Sequence, residues 1–118
     1  MSENEFWGFL EKLSEKGRAQ QVIGAIGCTD SPVYDYMQGH AVLPKDYDQI
    51  REGNIIKMGK LLLLRNTTCK AKETIMIILA HQPSEVALNF LTKYCLAPDK
   101  GLEFFAQMAL EECAMWNE

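Results

Sequence analysis

The chain has no long apolar run. Its densest hydrophobic stretches, residues 61–64 and 74–80, are interrupted by Arg65, Lys70 and Lys72, whereas a membrane-spanning helix needs about 20 mostly apolar residues. No membrane segment is expected. Proline (4) and glycine (8) are both scarce in 118 residues, too few for a linker-rich chain. Basic charge is also in deficit: 12 Lys and Arg against 16 Asp and Glu leave a net −4, which argues against sequence-independent nucleic-acid binding, since that depends on cations that displace phosphate counterions. No glycine-rich phosphate fingerprint of either the G-x-x-x-x-G-K-[ST] or the G-x-G-x-x-G kind occurs, so no nucleotide cofactor is expected. Cys28, Cys69, Cys95 and Cys113 lie too far apart for a C-x-x-C motif, and neither histidine stands at zinc-finger spacing from them. No metal is expected, and the cysteines read as buried thiols. The amino-terminal stretch "MSENEFWGFLEK" lacks the basic and then apolar order of a secretory signal. A cytoplasmic setting follows as the expectation.

What is present is helical punctuation. Ser2 and Glu5 form an S-x-x-E capping box ahead of Phe6, Phe9, Leu10 and Leu13 on one face, predicting a first helix that ends near Gly17. A short second piece carries Val22, Ile23 and Ile26. Residues 28–45, "CTDSPVYDYMQGHAVLPK", break the pattern with two prolines and an Asp-Ser-Pro turn signal. Asp46 is a candidate cap for a helix whose apolar face would hold Ile50, Ile55, Met58, Gly59, Leu62 and Leu63. The next run, "TIMIILA", is rich in β-branched residues but is flanked by Lys, Glu, Met and Ala without a hairpin signal, so it is read as a helix. Pro83 is placed at the start of a helix bearing Val86, Ala87, Phe90, Leu91 and Tyr94. After "APDK", with Asp99 as a cap, the last helix carries Leu102, Phe105, Ala106, Ala109, Leu110, Cys113 and Trp116 on one stripe. The fold class read from these elements is all-α, with five or six helices in a single domain spanning 1–118.

A shift of 33 residues lays Glu52 on Glu85, Lys60 on Lys93 and Leu63 on Leu96. It also keeps apolar on apolar at Ile55/Leu88, Met58/Leu91, Ile75/Met108, Ile77/Leu110 and Ala80/Cys113. A period of this length is the kind used by α-solenoids. The stretch "ALNFLTKYCLAPDKGLEFFAQMALEECA" resembles the turn and second helix of a HEAT-type repeat, with a Pro-Asp turn opening a helix that has small alanines on its inner face. The resemblance covers roughly residues 50–116. It departs from the family at the start of that helix, where Leu102-Glu103 stands in place of Val-Arg. What it implies is antiparallel hairpins stacked as a short superhelix, a scaffold for binding other proteins without catalytic residues.

Two surfaces are candidates for such binding. The last helix carries Phe104, Met108 and Met115 on a second apolar stripe, suited either to an adaptable contact with another protein or to packing against Phe6, Trp7 and Phe9 or a second copy in a homodimer. Lys57, Lys60, Arg65, Lys70 and Lys72 form a basic joint between two helices, read as a solvated turn or as a docking point for an acidic partner. A different class, a small enzyme or a ligand- or metal-binding protein, would draw on the segment from Asp30 to Tyr47, which gathers Asp35, Tyr36 and His40 without a spacing that specifies a site. His81 reads as a helix-end residue that bonds free carbonyls.

Overall fold

The computed structural model describes residues 1–13, 36–37 and 50–118. Among them the secondary structure is entirely helical: α1 (Glu3–Leu13), α2 (Glu52–Leu62), α3 (Cys69–Ala80), α4 (Glu85–Leu96) and α5 (Glu103–Trp116). The all-α reading is thus the observed one. The elements proposed around residues 22–26 and most of 28–45, together with Gly17 and Asp46, lie outside the described residues.

Local chemistry starts each helix. The Ser2–Glu5 capping box closes in both directions: the Glu5 amide donates to Ser2 Oγ at 3.1 Å and the Ser2 amide to Glu5 Oε1 at 3.0 Å. Thr68 caps α3 and Ser84 caps α4, each hydroxyl accepting the amide three residues on, Ala71 and Ala87, at 3.3 Å. Pro83 therefore precedes the cap of α4 and does not form its first turn. Nor does Asp99 cap α5, because its carboxylate is engaged elsewhere and Leu102 occupies the cap position. Gly101, at φ +92°, supplies the left-handed backbone that turns the chain into α5.

Helix α3 is the centre. Every residue from Ala71 to Gln82 is buried, and Ile75, Met76, Ile77, Ile78 and Leu79 are 0–1 % exposed. Each such side chain contributes roughly 1.5–3 kcal/mol relative to an exposed one. A helix buried on all sides needs neighbours all round. It packs against α2, α4 and α5, and Phe6 and Leu10 of α1 join the same core at 0 % exposure. By contrast α2 is one-sided: Ile55, Met58, Gly59, Leu61 and Leu62 face inward, while Lys57 and Lys60 are exposed. Leu63, expected on its buried face, is instead the C-cap residue and 39 % exposed. The helix shielded from water on every side is therefore α3, and α2 keeps the single apolar face expected of it.

The helix pairs that pack are α2 with α3, α4 with α5, α2 with α4, α3 with α5, and α3 with α4. The chain advances in near-equal steps, α4 opening 33 residues after α2 (Glu85 against Glu52) and α5 opening 34 after α3 (Glu103 against Cys69). Helices α2 and α4 meet at Gly59. A Cβ there would lie 2.3 Å from Phe90 Cγ, so the glycine is what lets the aromatic ring sit on the α2 backbone.

Candidate functional site

The outer face of α5 is built by helical geometry. Phe105, Ala106, Ala109 and Cys113 point into the core at 0–1 % exposure, which turns the opposite arc to water. On that arc Phe104 is 57 % and Met115 69 % exposed, and Met108 lies between them on the stripe, half-buried against the core. The predicted second stripe is therefore present, with its two ends open and its middle partly used for packing. Trp116, assigned to the inner stripe, is 53 % exposed at the helix end, near His81 with ring centroids 6.5 Å apart. Helix α5 contains no Lys or Arg, and its exposed arc carries Glu103 and Glu111.

The other predicted surface is divided by the structure. Lys57, Lys60 and Arg65 are exposed and Lys70 is half-buried, with the exposed Leu63 and Leu64 among them. Lys72 does not belong to this joint. It is buried, and its ammonium lies 2.6 Å from Asp99 Oδ2 and 5.8 Å from the centre of the Tyr94 ring. Tyr94 donates to the same carboxylate oxygen at 2.6 Å and accepts the Asp99 amide at 3.2 Å. Burial would raise the Asp99 carboxyl, but the bonds from Lys72 and Tyr94 outweigh it and hold the group below its ordinary value. Burial, and then the bond to Asp99, push the Tyr94 phenol up. This charged cluster pins the α4–α5 turn to α3, and a lysine so placed is unavailable to a partner.

A second polar cluster links three parts of the chain. His81 Nδ1 donates to the Ile77 carbonyl at 2.8 Å, the helix-end role read from the sequence, and His81 Nε2 lies 2.8 Å from Glu112 Oε2. Tyr36 donates its hydroxyl to Glu112 Oε1, and its ring meets Phe105 edge-on at 5.1 Å. Burial first, then the bond to Glu112, push the Tyr36 phenol up. Below them Asn117 Nδ2 donates to the carbonyls of Cys113 at 2.9 Å and Gln82 at 3.3 Å. The arrangement ties the end of α3 and Tyr36 to the last turns of α5. Of the residues proposed for a ligand site only Tyr36 is described, and its phenol is committed to this network, while Asp30, Asp35, His40 and Tyr47 lie outside the described residues. Glu112 was not singled out in the sequence, because its partners stand 31 and 76 positions away.

At the opposite end of α3, Glu3 accepts the Thr68 amide at 2.9 Å and the Thr68 hydroxyl at 2.8 Å, so α1 is fastened at the α3 cap. The neighbouring Cys69 is disulfide-bonded, its partner lying outside the described residues, which corrects its reading as a free thiol. Cys95 and Cys113 are free, and burial pushes the Cys113 thiol up to about 11. Among the described residues no group of three or more His, Cys, Asp or Glu side chains is arranged to hold a metal ion, and no helix is long and apolar enough to cross a membrane. No protein-family model, curated protein or solved structure matches the chain.

Proposed function

We propose that this chain is a protein–protein interaction module in which a helical frame presents the outer face of α5 to another protein. The observation that carries the reading is the exposure of Phe104 and Met115 along one stripe with Met108, since large apolar side chains displayed together on a helix face favour contact over solvation. A few such anchors supply most of the affinity of an interface. The frame is read as two stacked antiparallel hairpins of HEAT-like type, α2/α3 and α4/α5. Its supports are the packing of first helix on first helix and second on second, and the near-constant step of 33–34 residues. The buried α3 departs from an open solenoid, because Phe6, Leu10 and Tyr36 occupy core positions alongside it. The exposed Lys57, Lys60 and Arg65 offer an acidic partner a second contact. The Cys69 disulfide counts against the cytoplasmic setting expected from the sequence, since stable disulfides belong to oxidising compartments.

The test is capture from a native lysate with the intact chain and with Phe104→Glu/Met115→Glu as baits, both checked for helical circular dichroism. A protein retained by the first and lost by the second supports the reading. Retention of the same proteins by both, or of none by either, contradicts it.

A further inference from the structure

The apolar stripe of α5 and the end of α2 are complementary. On α5 the exposed Glu111 lies on the stripe itself, one turn before Met115, and the helix has no Lys or Arg. At the end of α2 the exposed Leu63 and Leu64 lie between Lys60 and Arg65, an apolar knuckle flanked by cations. Helices α2 and α5 both pack against α3 and α4.

We propose that the occupant of the α5 stripe is the α2 knuckle of a second copy of this chain, Leu63 and Leu64 seating on the stripe beside Met115 while Lys60 and Arg65 meet Glu111. This rests on the reading of α5 as an interaction face and names its partner. Because the two patches are different surfaces, the contact is heterologous: each copy keeps one free knuckle and one free stripe, and association continues head to tail beyond the dimer unless the rotation closes a ring. The near-constant step from the first hairpin to the second supports the same geometry, a further hairpin pair adding to an uncovered end.

Sedimentation velocity of the full chain from micromolar to millimolar concentration tests this. The sedimentation coefficient is expected to rise continuously with concentration, and less so at about 1 M salt than at about 0.1 M, where screening reaches only beyond about 10 Å. Lys60→Glu/Arg65→Glu and Gln107→Lys/Glu111→Lys, all at exposed positions, are each expected to abolish self-association, and their equimolar mixture to restore it, because each variant's altered patch then meets its opposite. A monomer at every concentration, association untouched by either variant, or a mixture that stays monomeric overturns the proposal. A monomer that nonetheless captures a different protein through Phe104 and Met115 overturns the self-association alone and leaves the α5 reading standing.

Discussion

Replacing Gly59 by alanine sets two opposed terms against each other, and the structure decides between them. In an open helix interior the change stabilises by roughly 0.8–1 kcal/mol, because alanine loses less backbone freedom on folding. At Gly59 the new methyl would stand 2.3 Å from Phe90 Cγ, 2.4 Å from Cδ2 and 2.6 Å from Cδ1, about 1 Å inside ordinary carbon contact of about 3.5 Å. Phe90 Cγ is the root of the ring, so relief requires either a χ1 rotation that withdraws the ring from α2 or a separation of α2 from α4. Overpacking of this kind costs about 1–3 kcal/mol, and three short contacts place it at the upper end. The net expectation for Gly59→Ala is a loss of about 2 kcal/mol, a fall in Tm of about 8 °C at roughly 4 °C per kcal/mol for a domain of this size. Thermal unfolding followed at 222 nm reads it. Gly53→Ala, in the same helix with nothing within 4 Å among the described residues, is expected to leave Tm unchanged or slightly higher. Phe90→Leu in the Gly59→Ala background is expected to recover part of the loss. A Gly59→Ala protein as stable as the parent, or more stable, would refute the close helix approach.

Other outcomes follow from the polar clusters and the surface. Asp99, Glu3 and Glu5 all have carboxyls held below their ordinary values. Their contribution is therefore complete above the unfolded values of about 3.9–4.3 and is lost as pH falls through the lower folded ones. The urea midpoint is expected to fall as pH is lowered below about 4, with a shallower slope in Asp99→Asn; equal slopes would contradict the Lys72–Asp99 bond. At neutral pH Asp99→Ala leaves the Lys72 ammonium buried without its carboxylate and is expected to cost about 1–3 kcal/mol, below the loss for a fully buried pair because the Asp99 side chain is 43 % exposed. Urea unfolding of the variant checks the figure. Alkylation at neutral pH is expected to reach Cys95 before Cys113, whose thiol is buried and raised to about 11, and to reach Cys69 only after reduction, as peptide mass mapping would show. Phe104→Glu and Met115→Glu are expected to change the unfolding free energy by no more than about 0.5 kcal/mol, as exposed positions do, whereas Met108→Glu is expected to cost more because Met108 packs against the core.

Features encoded over a few residues were legible in the sequence. The Ser2–Glu5 box could be read directly, because both its donors and both its acceptors lie within one turn. The flanks of the runs at 61–64 and 74–80 point to helices, and α3 holds all of the second run, whereas α2 takes only Leu61 and Leu62 of the first and is capped by Leu63. What failed required a distant partner. Lys72 looks like any solvated lysine until Asp99, 27 residues on, is brought to 2.6 Å of it. The same engagement removes Asp99 from the cap of α5, and Ser84, adjacent to Pro83, proved the better cap for α4 because its hydroxyl can accept the Ala87 amide. Glu111 and Glu112, as neighbours on a helix, point in different directions and make no carboxylate pair, but only the fold decides that Glu112 turns toward His81 and Tyr36 and Glu111 toward water. Periodicity found the α5 stripe correctly but could not say that Phe104 and Met115 stay exposed while Met108 is half covered, since that depends on what packs beside the helix.

The six methionines supply a direct readout of the α5 face, because Met58 and Met76 are 0 % exposed while Met115 is 69 % exposed and Met108 lies between. Spectra of 13C-methyl methionine, recorded as concentration is raised and again with any captured partner added, follow each probe separately. Met115 and Met108 are expected to shift and broaden while Met58 and Met76 stay in place. Movement of the core methyls with Met115 unaffected, or no response from Met115 in a sample shown to associate, would contradict the assignment of α5 as the interaction surface.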